Sequence, residues 1–186
     1  MEGNDQLAVI IPMLKQVGSG IRTEELDGPT PCAAFTVSGV LDHMTNLASA
    51  YAPAFRGESS SNDGGSSALD NNDLPAKFQI AMDALLDAVQ SPGALQRTID
   101  TPFGPMPGSQ FARLVAFDGL IHGWDLATST NQAWNPPNDL VAEVDAFARQ
   151  AIAPALRDGD TFAQETFAPP DATPLLRLVA FSGRTI

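Results

Sequence analysis

Apolar residues in this 186-residue chain recur at three- and four-residue steps in five separate segments, a period that commits most of it to amphipathic helices. Leu7, Ile10, Ile11, Leu14 and Val17 make the first stripe. Val37, Val40, Leu41, Met44, Leu47, Ala48 and Tyr51 make the second, with Thr36 as its N-cap and Pro53 marking its decline. The third runs through Phe78, Met82, Leu85, Leu86 and Val89 until Ser91-Pro92-Gly93 stops it. A fourth helix, capped by Ser109, carries Phe111, Leu114, Val115, Asp118, His122, Asp125 and Leu126 along one face. A fifth, capped by Asn138 after Pro136-Pro137, holds Leu140, Val144, Phe147 and Ala151 and is ended by Pro154.

The connectors are equally legible. Asp27 to Cys32 contains two prolines and a glycine and reads as a turn. Thr98 to Gly108, with three prolines and two glycines among Ile99, Phe103 and Met106, reads as an extended or hairpin segment before the fourth helix. Gly57 to Asn72 is nearly all Gly, Ser, Asn, Asp and Glu, so it predicts a mobile surface loop. The tail, from Phe167-Ala168-Pro169-Pro170 to Leu175–Phe181, is expected to wrap back as a loop and a short terminal element. The expectation is one all-α domain over residues 1–186.

Ten Lys and Arg against 22 Asp and Glu give a net charge of −12, which argues against a nucleic-acid partner or an anionic membrane surface. The apolar segment Leu7–Leu14 is too short to span a bilayer and follows acidic residues, so neither a signal peptide nor an anchor is expected. Cys32, the single cysteine, cannot form an internal disulfide, and in a proline-rich turn it reads as a small buried hydrophobe. The expected compartment is the cytoplasm. A homodimer is left open.

His43 and His122 are the chain's two histidines, and each falls in or beside the apolar face of a predicted helix. Asp118 and His122 are four residues apart and project side by side from consecutive turns, a two-ligand platform for a metal. A carboxylate buried in a helical core costs several kcal/mol unless its charge is compensated, and the nearest basic residue, Arg113, lies on another face. His43 supplies a third ligand from a second helix, as metal sites in helical bundles require. The alternative for each residue is a hydrogen-bonded core group with no ion. Asp125, one turn beyond His122, either orients the His122 ring or pairs elsewhere near the helix end. Trp124 reads as packing or pocket wall.

Pro29-Thr30-Pro31-Cys32, Val40-Leu41-Asp42-His43 and the run from Asp118 to Ala127 resemble the signature blocks of the DinB/YfiT-like superfamily. Within it, the chain is most similar to the mycothiol-dependent maleylpyruvate isomerase N-terminal domain group, largely actinobacterial proteins. Phe103-Gly104, Pro107-Gly108 and the closing Leu178–Arg184 extend the likeness over nearly the whole chain. The resemblance implies a four-helix bundle with a short C-terminal extension. It also implies a metal, commonly zinc, bound by a histidine on the second helix and a Glu-x-x-x-His pair on a later one; those positions here are His43, Asp118 and His122. This chain carries Asp118 where the isomerase-type motif has the longer Glu, and the second, C-terminal domain that completes the isomerase's pocket is not expected here.

Two histidines and a carboxylate leave an open coordination position, the arrangement of a reactive zinc site; non-haem iron(II) ranks below zinc. The resemblance implies a transferase or isomerase in which the metal activates a low-molecular-weight thiol, mycothiol or a similar one, for attack on a small-molecule electrophile. A metal-dependent hydrolase using metal-bound hydroxide, and a binding module without turnover, are the two alternatives.

Overall fold

The five apolar stripes each fold as a helix in the computed structural model, which describes residues 1–58, 74–157 and 162–186. Helix α1 spans Gly3–Ser19, α2 Val37–Arg56, α3 Leu74–Val89, α4 Gly108–Ser129 and α5 Asn138–Ala151, and a further helix, α6, spans Pro174–Phe181. Strands β1 (Thr98–Thr101) and β2 (Gly104–Pro107) form an antiparallel hairpin with Ile99 opposite Met106. The chain is therefore mostly helical with a small sheet, and that sheet falls within Thr98 to Gly108, the segment expected to be extended or a hairpin. The expected loop at 57–72 falls almost wholly outside the described residues.

Helix α1 packs against α3 and α4, and α2 packs against the same two helices. Their stripes meet in one core that includes Ile10, Leu14, Leu41, Phe55, Phe78, Leu85 and Leu120, each almost fully buried. Helix α5 lies against α4 and α6, and α6 also touches α4. Helix α4 is the common neighbour, which explains why buried residues surround much of its second half, from Gly119 to Ala127. No helix among the described residues is long and apolar enough to cross a membrane.

Local signals hold in some places and yield in others. Thr36 caps α2 as expected, its Oγ1 accepting from the Gly39 amide at 3.2 Å. Pro53 does not end that helix, which continues to Arg56. Phe55 is fully buried against Phe111, ring centroids 5.8 Å apart, and this packing outweighs the hydrogen bond that the proline removes. The stop comes at Gly57, whose left-handed backbone (φ 77°) a side chain would strain. Neither Ser109 nor Asn138 caps a helix. Helix α4 starts two residues, and α5 one residue, earlier than those caps require, from Pro107 and Pro137. Pro107 is paired with Thr98 in the hairpin, so the strand feeds straight into α4.

Phe78 seats its ring on Gly18 of α1, where a methyl group would come within 2.9 Å of the ring carbons. Phe78→Ala should therefore cost roughly 3–5 kcal/mol in urea denaturation. A loss under about 1 kcal/mol would show that α1 and α3 are not packed at this point.

Candidate metal centre

The three expected ligands come together. His43 on α2 and Asp118 and His122 on α4 each offer an atom within 4.8 Å of the other two. His43 Nε2 lies 3.6 Å from Asp118 Oδ2, and His122 Nε2 lies 3.5 Å from Asp118 Oδ1. Both separations are too long for a good hydrogen bond. They match the spacing around a tetrahedral ion, since ligands bonded to zinc at 2.0–2.2 Å stand about 3.3–3.6 Å apart.

The protonation pattern strengthens the fit. His122 Nδ1 is 3.0 Å from Asp125 Oδ2, and Asp125 is fully buried. Arg184 grips the same carboxylate through Nη2 at 2.8 Å and Nε at 3.3 Å, so Asp125 is an ionised acceptor and Nδ1 must carry the donated proton. In the neutral ring that leaves a lone pair on Nε2, facing the Asp118 carboxylate. His43 Nε2 is buried and has no hydrogen-bond partner. A carboxylate facing two ring nitrogens, one of them buried without a partner, calls for a cation between them, either a proton or a metal.

Without a metal, protons fill the role in part. The Asp118 carboxylate beside it raises the His43 pKa above the ordinary histidine value, against burial and the Arg184 charge, which lower it. Burial pushes the Asp118 carboxyl up, but the imidazoles of His122 and His43 outweigh it and hold it below the usual carboxylate range.

The surrounding elements fix these positions. An isolated bridge between Pro29 and Thr36 closes the turn around Cys32, and Thr30 Oγ1 donates to the Phe35 carbonyl at 2.7 Å. The turn thereby seats Phe35 over both histidines, its ring 5.2 Å from His43 and 5.9 Å from His122. Cys32 is half-buried and free. Gly123 lets Trp134 press against α4, for a Cβ there would meet the indole at 2.2 Å. Trp124 is partly buried against the core.

One expectation about charge needs correction, and Arg113 does lie away from the cluster. The carboxylate sealed in the core is Asp125, at 0% exposure, whereas the Asp118 side chain is 30% exposed. Compensation for Asp125 comes from Arg184, while Arg113 lies over the Phe147 ring at 4.2 Å. Neither Arg184 nor Phe35 was singled out by spacing. A fully buried aspartate demands a counter-charge, but nothing local to α4 reveals which arginine supplies it.

The fold and site define a mostly helical domain with a two-histidine, one-carboxylate cluster between two helices. The chain belongs to the mycothiol maleylpyruvate isomerase N-terminal domain family, whose sequence model matches residues 13–127, well over half of it and including all three clustered residues. Two uncharacterized proteins of Mycobacterium tuberculosis, one from strain CDC 1551 / Oshkosh and one from strain ATCC 25618 / H37Rv, are each 30% identical to it over 177 residues, covering 90% of this chain and 90% of the relative. No solved structure matches.

In the metal-free protein, an NMR titration of the two histidines should place the His43 midpoint above the ordinary histidine value. Asp118→Asn should lower it, because burial and Arg184 then act with less opposition. An unchanged midpoint in that variant would mean that the two side chains do not face each other in solution.

Proposed function

We propose that His43, Asp118 and His122 hold one divalent ion, with zinc favoured by the N, N, O donor set, and that the protein is a thiol-dependent transferase or isomerase acting on a small electrophile. On this reading, α1 to α4 form a DinB-type four-helix bundle whose interior carries the centre. The observation that carries the proposal is the convergence of two imidazole nitrogens, that of His43 buried without a hydrogen-bond partner, on one carboxylate at tetrahedral spacing. The family name supplies the thiol: mycothiol or a close analogue.

When bound, such an ion acts as a Lewis acid that lowers the pKa of a thiol, making its thiolate available at neutral pH. The side chains do the rest. Asp125 holds the Nδ1 proton of His122 so that Nε2 stays free to bind. Phe35 stacks on the His43 ring and meets the His122 ring edge-on, which packs both imidazoles. His43 and Asp118 are each about one-third exposed, which leaves an approach for a thiol and its electrophile. Asp118 brings the only negative charge among the three ligands, so a divalent ion is not neutralised and an anion is the favoured fourth partner.

Protein purified without an affinity tag should contain about one divalent ion per chain, and His122→Ala should lose it. Asp118→Asn should weaken zinc binding by more than the roughly 10–100-fold typical of losing an outer hydrogen-bond partner, while Asp118→Glu retains the ion. Adding mycothiol to the cobalt-substituted protein should produce a thiolate-to-metal charge-transfer band in the near ultraviolet. Full metal content in His122→Ala would overturn the site, and a bound metal with no spectral response to thiol would overturn the thiol chemistry.

A further inference from the structure

Arg184 stands 59 residues beyond Asp125 in sequence, yet its guanidinium forks onto that carboxylate with Nη2 at 2.8 Å from Oδ2 and Nε at 3.3 Å from Oδ1. Its side chain is 14% exposed and Asp125 is wholly buried. Oδ2 is the same oxygen that receives the His122 Nδ1 proton at 3.0 Å. A planar, two-point grip fixes both the position and the plane of a carboxylate, which a point charge cannot do.

The chain builds Arg184 into place deliberately. Helix α6 ends in Ser182-Gly183-Arg184, where the Gly183 amide bonds the Ala180 carbonyl at 3.0 Å and the Arg184 amide bonds the Val179 carbonyl at 3.3 Å. These are the two paired bonds of a Schellman stop, with Gly183 in the left-handed conformation (φ 93°) that the motif needs. A side chain at Gly183 would also strike Ala163, whose Cβ lies 2.4 Å from the required position. Nη1 is held by the Ser182 carbonyl at 3.3 Å, and the Arg184 carbonyl accepts from Thr166 Oγ1. Every bond in this set turns the backbone out of α6 and sends the guanidinium back to α4.

We propose that Arg184 is a positioning residue for the metal centre: by clamping Asp125 it fixes the His122 ring, so that the end of α6 sets how tightly the His43–Asp118–His122 cluster holds its ion. This rests on the metal-binding reading above. Arg184 makes no hydrogen bond to the three ligands: its grip reaches them through Asp125, while its charge is also felt by His43 and Asp118. Losing an outer partner of this kind typically weakens metal binding by roughly 10–100-fold.

The test compares zinc affinity, by competition with a chromophoric chelator, in the full chain and in Arg184→Lys, Arg184→Met and Asp125→Asn. Arg184→Lys retains the charge that a buried Asp125 requires, so it should stay folded with metal-free thermal stability near that of the parent. It should still bind zinc about tenfold more weakly, because an ammonium cannot make the fork. Arg184→Met should lose more, and where it fails to fold the lysine variant decides. In the zinc-loaded lysine variant, solvent exchange of the His122 Nδ1 proton should accelerate, a change that lost packing elsewhere would not cause. Zinc affinity within twofold of the parent in Arg184→Lys, with unchanged exchange of that proton, would overturn the proposal. Failure of the parent itself to bind zinc would instead sink the metal reading, so the two failures are distinct.

Discussion

A carboxylate with no exposure to water sits near the C-terminal end of the most heavily packed helix described, and the arrangement around it follows from that burden. Asp125 lies on α4 between buried residues. Left alone, it would cost several kcal/mol. Its charge is answered by Arg184 on one side and by the His122 Nδ1 proton on the other. Satisfying Asp125 therefore orients a histidine, and orienting that histidine aims its second nitrogen at Asp118. The core's demand for a paired charge and the site's demand for a directed imidazole are met by one set of bonds.

Position on the helix separates the two aspartates of α4 into different duties. Asp118 points toward α2 and is partly open to solvent, so it meets His43 across the interface between helices. Asp125 lies two turns further on, closed off from water by α6 and its turn. Gly123, between them, admits Trp134 so closely that no larger residue would fit without moving it. The His-Gly-Trp-Asp run thus combines a candidate ligand, a contact point and a charge anchor within one turn.

Much of this was legible in the sequence because it is local. Helical stripes follow from a period that tertiary packing confirms, and the three clustered residues follow from residue type, four-residue spacing and the scarcity of histidine. Pro53 misled because its local preference is weaker than the burial of Phe55. Ser109 and Asn138 misled because prolines deliver the chain into α4 and α5 and take over the cap position. Arg184 and Phe35 were out of reach for a different reason. Each acts through a turn whose geometry only the assembled fold reveals, one after α6 and one around Cys32, and neither lies at a helical spacing from the residues it serves.

The seat of Trp134 on Gly123 has a practical meaning. The chain has two tryptophans, and both lie beside the centre: Trp124 is two residues past His122, and Trp134 packs on the residue between them. The protein's ultraviolet emission therefore originates almost entirely from Trp124 and from an indole seated on Gly123, the residue next to His122. It carries a built-in optical gauge, in which a quenching ion such as copper(II) or cobalt(II) entering the cluster would dim the native fluorescence without any added dye.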